Sequence, residues 1–266
     1  MNGFEKKLNM MRETCANMYR LGWDERNGGN ISMILDDNET KGFTGSSSAC
    51  PTGFDAKYLA GKYILVTGTG KYLKNVYNDP NNNLGVIKIS DDGAYYSVVW
   101  GFEDGSKPTS ELPTHLMNHI ERLKKDPSHR VVLHCHPLNV LAMTFVVPLD
   151  DITFTRALWK MITECVIVFP DGVGVLKWMI CGGKEIGLKT AEKMKECRCV
   201  VWAYHGIFGS GTSLDEAFGL VETVEKAAAI YMSICDRNII SEISDSQLKA
   251  VADAFGITVR AGYLDC

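Results

Sequence analysis

The chain has no long hydrophobic run. No stretch of about 18 apolar residues occurs in its 266 positions, so no segment reads as a membrane-spanning helix. Its N-terminal residues lead into no apolar signal-peptide core. A basic stripe is missing too. The 28 Lys and Arg residues are scattered among 32 Asp and Glu for a net charge of −4. Short pairs such as Lys6-Lys7 and Lys124-Lys125 read as solvated helix faces, which argues against nucleic-acid binding. The nine cysteines show no regular spacing, and Cys197-Arg198-Cys199 is not the C-x-x-C of a zinc knuckle. Reduced thiols and a cytoplasmic location are expected. Gly68-Thr69-Gly70-Lys71 lacks the Walker A spacing, and no G-x-G-x-x-G follows a strand. No linker or internal repeat divides the chain, so one domain over residues 1–266 is expected.

The patterning that is present alternates between helix and strand. Phe4, Leu8, Met11, Cys15 and Met18 repeat at four and three, which predicts an amphipathic helix ending near Gly22. The turn-rich segment 23–30 leads into a short strand over 31–35. Residues 36–57 form the longest loop. A strand over 63–66 and a hairpin of 86–90 with 95–100 around Asp91-Asp92-Gly93 follow. Thr109 or Ser110 caps a helix whose buried stripe is Leu112, Leu116, Ile120 and Leu123. Residues 140–145 read as helical or buried, 166–169 as a buried strand closed by Pro170-Asp171-Gly172, and 184–196 as a helix. The strand 200–204 brings His205 to its end. Ser213-Leu214-Asp215-Glu216 reads as a capping box opening a helix with Ala217, Leu220, Val221, Val224, Ala228 and Tyr231 on one face. A last short helix covers 246–256. The fold class is α/β, with a central, mostly antiparallel or mixed sheet covered by helices on both faces.

Histidine is scarce, six in all, yet two of them end the apolar run Val131-Val132-Leu133-His134-Cys135-His136. In a strand His134 and His136 share a face and Cys135 takes the other. Two such imidazoles can close on one metal ion. Chance alone gives a His-x-His in roughly one such chain in eight, so the pair needs a third ligand and an acid beside it. His205, ahead of Gly206, is the third-ligand candidate. His115 and His119, four apart, are either a second ligand pair or packed residues; no His-Glu-x-x-His is present. His129 follows Pro127-Ser128 and is expected at the surface. Glu111 starts a helix, where the dipole alone favours a carboxylate, or it is an acid-base group. Glu164 precedes an apolar segment, either as a solvent-facing edge residue or as a second acid. The loops 27–30, 67–71 and 109–110 are rich in small donors that can hold a phosphate without a lysine cluster.

Taken in order, these segments resemble the class II, metal-dependent sugar-phosphate aldolases of the aldolase/adducin-like fold. The matching stretches are Gly22-Trp23-Asp24-Glu25-Arg26-Asn27-Gly28-Gly29-Asn30, Val66-Thr67-Gly68-Thr69-Gly70-Lys71, Pro108-Thr109-Ser110-Glu111-Leu112-Pro113, His134-Cys135-His136, Thr163-Glu164-Cys165 through Phe169-Pro170-Asp171-Gly172-Val173-Gly174, and His205-Gly206-Ile207-Phe208-Gly209-Ser210-Gly211. Thr69 stands where serine is the expected phosphate-loop residue and keeps the hydroxyl. The resemblance implies that His134, His136 and His205 bind one Zn²⁺. It implies that Asn27, Gly29, Asn30, Thr69, Gly70, Thr109 and Ser110 surround a substrate phosphate. Glu111 would move the proton at the nucleophilic carbon, and Glu164, from a neighbouring subunit of a homotetramer, would protonate the sugar oxygen. The implied reaction is retro-aldol cleavage of a ketose 1-phosphate between C3 and C4 to dihydroxyacetone phosphate and L-lactaldehyde. Fuculose-phosphate aldolases and pentulose-phosphate epimerases use the same kind of site, and an adducin-like interaction domain is the non-enzymatic alternative. A metallo-β-lactamase-like hydrolase would need Asp-His after the His-x-His, where Pro137-Leu138-Asn139 stands. A cupin would usually carry a glutamate about four residues on, and none is there.

Overall fold

In a computed structural model, residues 3–43 and 47–265 are described. Helix α1 (Gly3–Leu21) buries Phe4, Leu8, Met11, Cys15 and Met18, as their spacing requires. Strand β1 (Asn30–Leu35), β2 (Cys50–Pro51) and β3 (Tyr63–Thr67) follow, then the short helices α2 (Leu73–Val76) and α3 (Pro80–Asn83), and the hairpin β4 (Leu84–Ile89) and β5 (Tyr95–Gly101). Helix α4 (Leu112–Lys125), β6 (Val131–Cys135), α5 (Leu138–Val146), α6 (Asp151–Trp159), α7 (Cys165–Val168) and β7 (Gly174–Leu176) come next. The chain closes with α8 (Lys184–Met194), β8 (Cys199–Trp202), β9 (Gly206–Gly211), α9 (Leu214–Ile234) and α10 (Asp245–Ala254). Among the described residues the strands form one nine-stranded sheet in the order β2-β5-β4-β3-β1-β6-β9-β8-β7. Only the β7–β8 pair is parallel, so the sheet is mixed and mostly antiparallel.

Alternate residues of each strand feed opposite faces. Ile31, Met33 and Leu35 of β1, with Val131, Leu133 and Cys135 of β6, pack beneath α1, α5, α6, α9 and α10. The other face carries two separate apolar patches. Ile34, Ile64, Val66, Ile87 and Ile89 meet Leu112, Leu116, Ile120 and Leu123 of α4. Val132, Val200, Trp202 and Phe208 meet Ile186 and Met194 of α8. Asn30 and Ser32 of β1, with His115 and His119 of α4, are all buried on this second side.

Four local expectations need correction. Residues 166–169 form no strand: Cys165–Val168 is a single helical turn, in which the Ile167 and Val168 amides donate to the Glu164 carbonyl before Pro170 stops it. A four-residue apolar run carries no periodicity that separates the two states. Helix α4 is capped by neither Thr109 nor Ser110; Glu111 is its N-cap residue, and Thr109 Oγ1 instead accepts from the Glu111 amide at 3.3 Å. Ser213 caps α9 as expected, but the Glu216 carboxylate accepts from the Thr212 amide and hydroxyl rather than closing a box. His129 is not at the surface. It is 2 % exposed, because its ring turns inward to His119, 2.8 Å away. Within the 36–57 loop, residues 44–46 lie outside the described residues, and Cys50–Pro51 adds the edge strand β2 against β5.

Candidate active site

The register of the central strands assembles the site. Asn30 opens β1 directly opposite His134 on β6, and His134 lies opposite Phe208 on β9. The start of β1, the end of β6 and the start of β9 therefore share one end of the sheet. The loops leaving β3 and β8 arrive at the same end. His136 follows β6 and donates its backbone amide to the Trp23 carbonyl at 2.7 Å. The start of α5, just beyond it, is held by the Glu225 carboxylate, which accepts from the Asn139 and Val140 amides. His205 sits in the turn between β8 and β9, behind Tyr204, whose φ is +63°.

The three predicted ligands converge. One ligand nitrogen from each of His134, His136 and His205 lies within 4.8 Å of the others. His134 Nδ1 donates to the Ile207 carbonyl at 3.0 Å, and its ring stacks on Phe208 at 4.3 Å between centroids. His136 Nδ1 donates to the Glu25 carboxylate at 2.9 Å. When such a ring is neutral its other nitrogen, Nε2, carries a lone pair. These two Nε2 atoms lie 3.2 Å apart. Two lone pairs cannot hydrogen-bond to each other, but two ligands of one tetrahedral ion sit about 3.3 Å apart at ordinary metal–nitrogen lengths. The donor set fits a metal ion, and a carboxylate behind a ligand histidine is the usual orienting partner. Burial, reinforced by the neighbouring imidazoles, holds His134 well below its ordinary pKa. Burial and His136 bring His205 down to about 4. Neutral rings are the ligating form.

Gly28 and Gly206 make room for this convergence. A Cβ at Gly206 would lie 2.4 Å from the Cys135 carbonyl and 2.7 Å from the His136 ring. One at Gly28 would meet the same ring at 2.9 Å. Cys135 points away into the apolar core, as alternation requires.

Glu111 does not project to solvent. It is 7 % exposed, with Oε2 accepting from Asn30 Nδ2 at 2.9 Å and 3.6 Å from His134 Nε2. Burial raises its pKa, opposed by the Asn30 hydrogen bond and by His136. For Glu25, burial is the largest single influence and pushes upward. The His136 hydrogen bond and charge, the Glu25 backbone amide and His205 together outweigh it and leave the carboxyl below its ordinary value.

A cavity of about 310 Å³ opens over the cluster and is lined by every residue expected to surround a phosphate: Asn27, Gly29, Asn30, Thr69, Gly70, Thr109 and Ser110. Glu111 and all three histidines line it too. Glu164 does not: it is exposed at the start of α7 and absent from the lining. Asn30 Nδ2 is already turned to Glu111, so a phosphate oxygen would take the amide's second N–H. Sequence reasoning missed Arg26, Glu25 and Cys181, which also line the cavity. Arg26, at φ +52°, places a cation among small donors, a signal present in its position just ahead of Asn27-Gly28-Gly29. His115 and His119 are no ligand pair for a second ion. Both are fully buried and hydrogen-bonded to Ser32, each at 2.7 Å.

A three-histidine cluster, with His134 buried and His136 and His205 partly exposed, beside an acid and under a cavity of small donors defines a candidate metal site open to an anionic ligand. The family model for the Class II Aldolase and Adducin N-terminal domain matches residues 9–232. The rhamnulose-1-phosphate aldolase of Listeria monocytogenes serovar 1/2a is 53% identical over 259 residues, covering 96% of this chain and 95% of that one. The rhamnulose-1-phosphate aldolase of Enterococcus faecalis is 51% identical over 259 residues, covering 96% and 93%. Among solved structures, the sugar-phosphate aldolase of Thermotoga maritima superposes with a TM-score of 0.77 at 31% identity, covering 89% of this chain and 99% of that one. The chain belongs to the class II aldolase and adducin family.

Proposed function

We propose that this protein cleaves L-rhamnulose 1-phosphate between C3 and C4, releasing dihydroxyacetone phosphate and L-lactaldehyde, and catalyses the reverse condensation. Likeness to rhamnulose-1-phosphate aldolases at 51–53% identity over 96% of the chain supports the substrate. The observation that carries the chemistry is the Glu111 carboxylate, 3.6 Å from the ligand nitrogen of His134 in a cavity lined by hydroxyl and amide donors. His134, His136 and His205 would hold Zn²⁺, one per chain, which suits three imidazoles with an open coordination position. When bound, the ion supplies a Lewis acid that favours negative charge on the ketose oxygens. Asn27, Thr69, Thr109, Ser110 and the backbone at Gly29 and Gly70 grip the phosphate and set the reacting carbon beside Glu111. In condensation Glu111 takes the C3 proton of dihydroxyacetone phosphate; in cleavage it returns it.

In condensation Glu164, from a neighbouring copy in a homotetramer, supplies the second proton to the aldehyde-derived oxygen; in cleavage it takes that proton back. Its exposed position outside its own chain's cavity supports this reading. Mixing two inactive variants, Glu111→Gln and Glu164→Gln, then restores part of the activity through hybrid sites; a mixture as inactive as its parts contradicts the shared site. The eight described cysteines are all free, which supports a cytoplasmic location. No helix is long and apolar enough to cross a membrane among the described residues.

The deciding assay couples dihydroxyacetone phosphate release to a reductase, with L-rhamnulose 1-phosphate and L-fuculose 1-phosphate as alternative substrates. The rhamnulose ester is expected to turn over faster by at least about tenfold in kcat/KM. An epimerase would release no dihydroxyacetone phosphate from either.

A further inference from the structure

Three histidines lie outside the metal cluster, and the reaction as described leaves them idle. They are joined in one continuous hydrogen-bonded string that ends on Glu111. His129 Nε2 lies 2.8 Å from His119 Nδ1. His119 Nε2 and His115 Nδ1 each lie 2.7 Å from Ser32 Oγ. His115 Nε2 bonds Asn30 Oδ1, and Asn30 Nδ2 donates to Glu111 Oε2. Every member except Glu111 and Asn30, each 7 % exposed, is buried to 2 % exposure or less.

The direction of the string follows from what each group can donate. A carboxylate only accepts, so Asn30 gives it an N–H and turns its carbonyl to His115. His115 Nε2 must then carry the proton, which leaves Nδ1 to accept from the Ser32 hydroxyl. Ser32 in turn accepts from His119 Nε2–H, and His119 Nδ1 accepts from His129 Nε2–H. Each neutral ring has one donor and one acceptor; His115 and His119 use both, and His129 uses its donor. Burial brings His115 and His129 down to about 3 and pushes His119 well below its ordinary value, so all three rings are neutral near pH 7. All donors point toward Glu111, and hydrogen bonds aligned in this way reinforce one another.

The string crosses one face of the sheet between two apolar patches, one under α4 and the other under α8. Apolar residues would fill that seam at no desolvation cost. Asn30 is the link that makes the string matter for chemistry. With its amide reversed, Oδ1 would face the Glu111 carboxylate, acceptor against acceptor.

We propose that Ser32, His115, His119 and His129 are positioning residues that lock the Asn30 amide with its N–H toward Glu111, and thereby fix the carboxylate beside the metal-binding histidines. An amide does not readily pass a proton along, so the string orients the base rather than feeding it protons. This inference rests on the reading of Glu111 as the base that acts at C3.

Neutron diffraction on the Zn²⁺-loaded protein at pH 7 tests the polarity directly. Protons are expected on Nε2 alone of His115, His119 and His129, with Asn30 Nδ2 toward Glu111. A proton on His115 Nδ1 overturns the proposal. Kinetics test the consequence through solvent exchange at C3 of dihydroxyacetone phosphate. Ser32→Ala is expected to slow exchange about tenfold, with KM for dihydroxyacetone phosphate within about twofold and metal content unchanged. His115→Gln keeps a donor for Asn30 and is expected to retain more exchange than His115→Leu. Wild-type exchange in Ser32→Ala, or equal losses in the two His115 variants, overturns the positioning role. Glu111→Gln separates the two readings. Wild-type exchange there removes the base assignment and this proposal with it, whereas slow exchange there beside wild-type exchange in Ser32→Ala removes the positioning role alone.

Discussion

The six histidines of this chain fall into two sets of three that differ in how their nitrogens face. In His134, His136 and His205 the outer nitrogens of the first two are tied to a carbonyl and a carboxylate, so lone pairs point at a common centre. In His115 and His119 both ring nitrogens are matched with a partner, and His129 turns its Nε2 to His119, so no lone pairs converge on a common point. The first set lies under an open cavity, and the second on the buried side of α4 and in the turn that follows it. The comparison teaches that a histidine count says little. What decides the chemistry is whether a second partner turns a ring's lone pair outward to a shared point or inward to a neighbour. Glu111 stands between the two sets, 3.6 Å from His134 and linked to His115 through Asn30.

The largest effect that tests this contrast is metal removal. A chelator is expected to abolish release of dihydroxyacetone phosphate by about three orders of magnitude, with Zn²⁺ restoring it, because several kcal/mol of charge stabilisation leave with the ion. Retained activity after the metal is shown to be gone would break the assignment of the first set. Next, Glu111→Gln is expected to keep its metal and lose about 10²–10⁴-fold in C3 exchange, the usual worth of a positioned base. Glu25→Ala removes the carboxylate behind His136 and should weaken metal affinity about tenfold, measured by competition with a chromogenic chelator. Unchanged affinity would mean that His136 is oriented by packing alone.

The smallest effect belongs to the second set and concerns pH. Unfolded, these rings titrate near 6.5; folded, His115 and His129 titrate near 3 and His119 well below its ordinary value. Between those limits the unfolded chain binds more protons. Their contribution to stability is therefore complete above about pH 6.5 and is lost as the pH falls, at up to about 1.4 kcal/mol per pH unit for each ring. Urea denaturation of the metal-free protein at pH 7 and pH 5 measures this. The His129→Gln variant is expected to show a shallower decline, and an equal decline would mean that His129 is already charged in the folded state.

Most of the site was legible in the sequence because it depends on strand alternation and order along the chain. His134, His136, His205, Glu111 and the loop donors, each singled out in the sequence, line one cavity at one end of the sheet. The string was not legible, since it depends on how α4 lies across β1, a tertiary relation that leaves no periodic mark. His129 looked like a surface residue because only its neighbours Pro127 and Ser128 were visible, not His119. Residues 166–169 read as a strand because three β-branched residues and a phenylalanine fit either state. Glu164 remains a case in which the sequence offers a role that a single chain's geometry leaves outside the cavity.

The most direct test of the contrast between the two sets is the zinc content of His205→Ala and His119→Gln, purified side by side and measured by atomic emission. No bound zinc is expected in the first and one ion per chain in the second. Equal zinc in both proteins would contradict the division of the histidines into two sets.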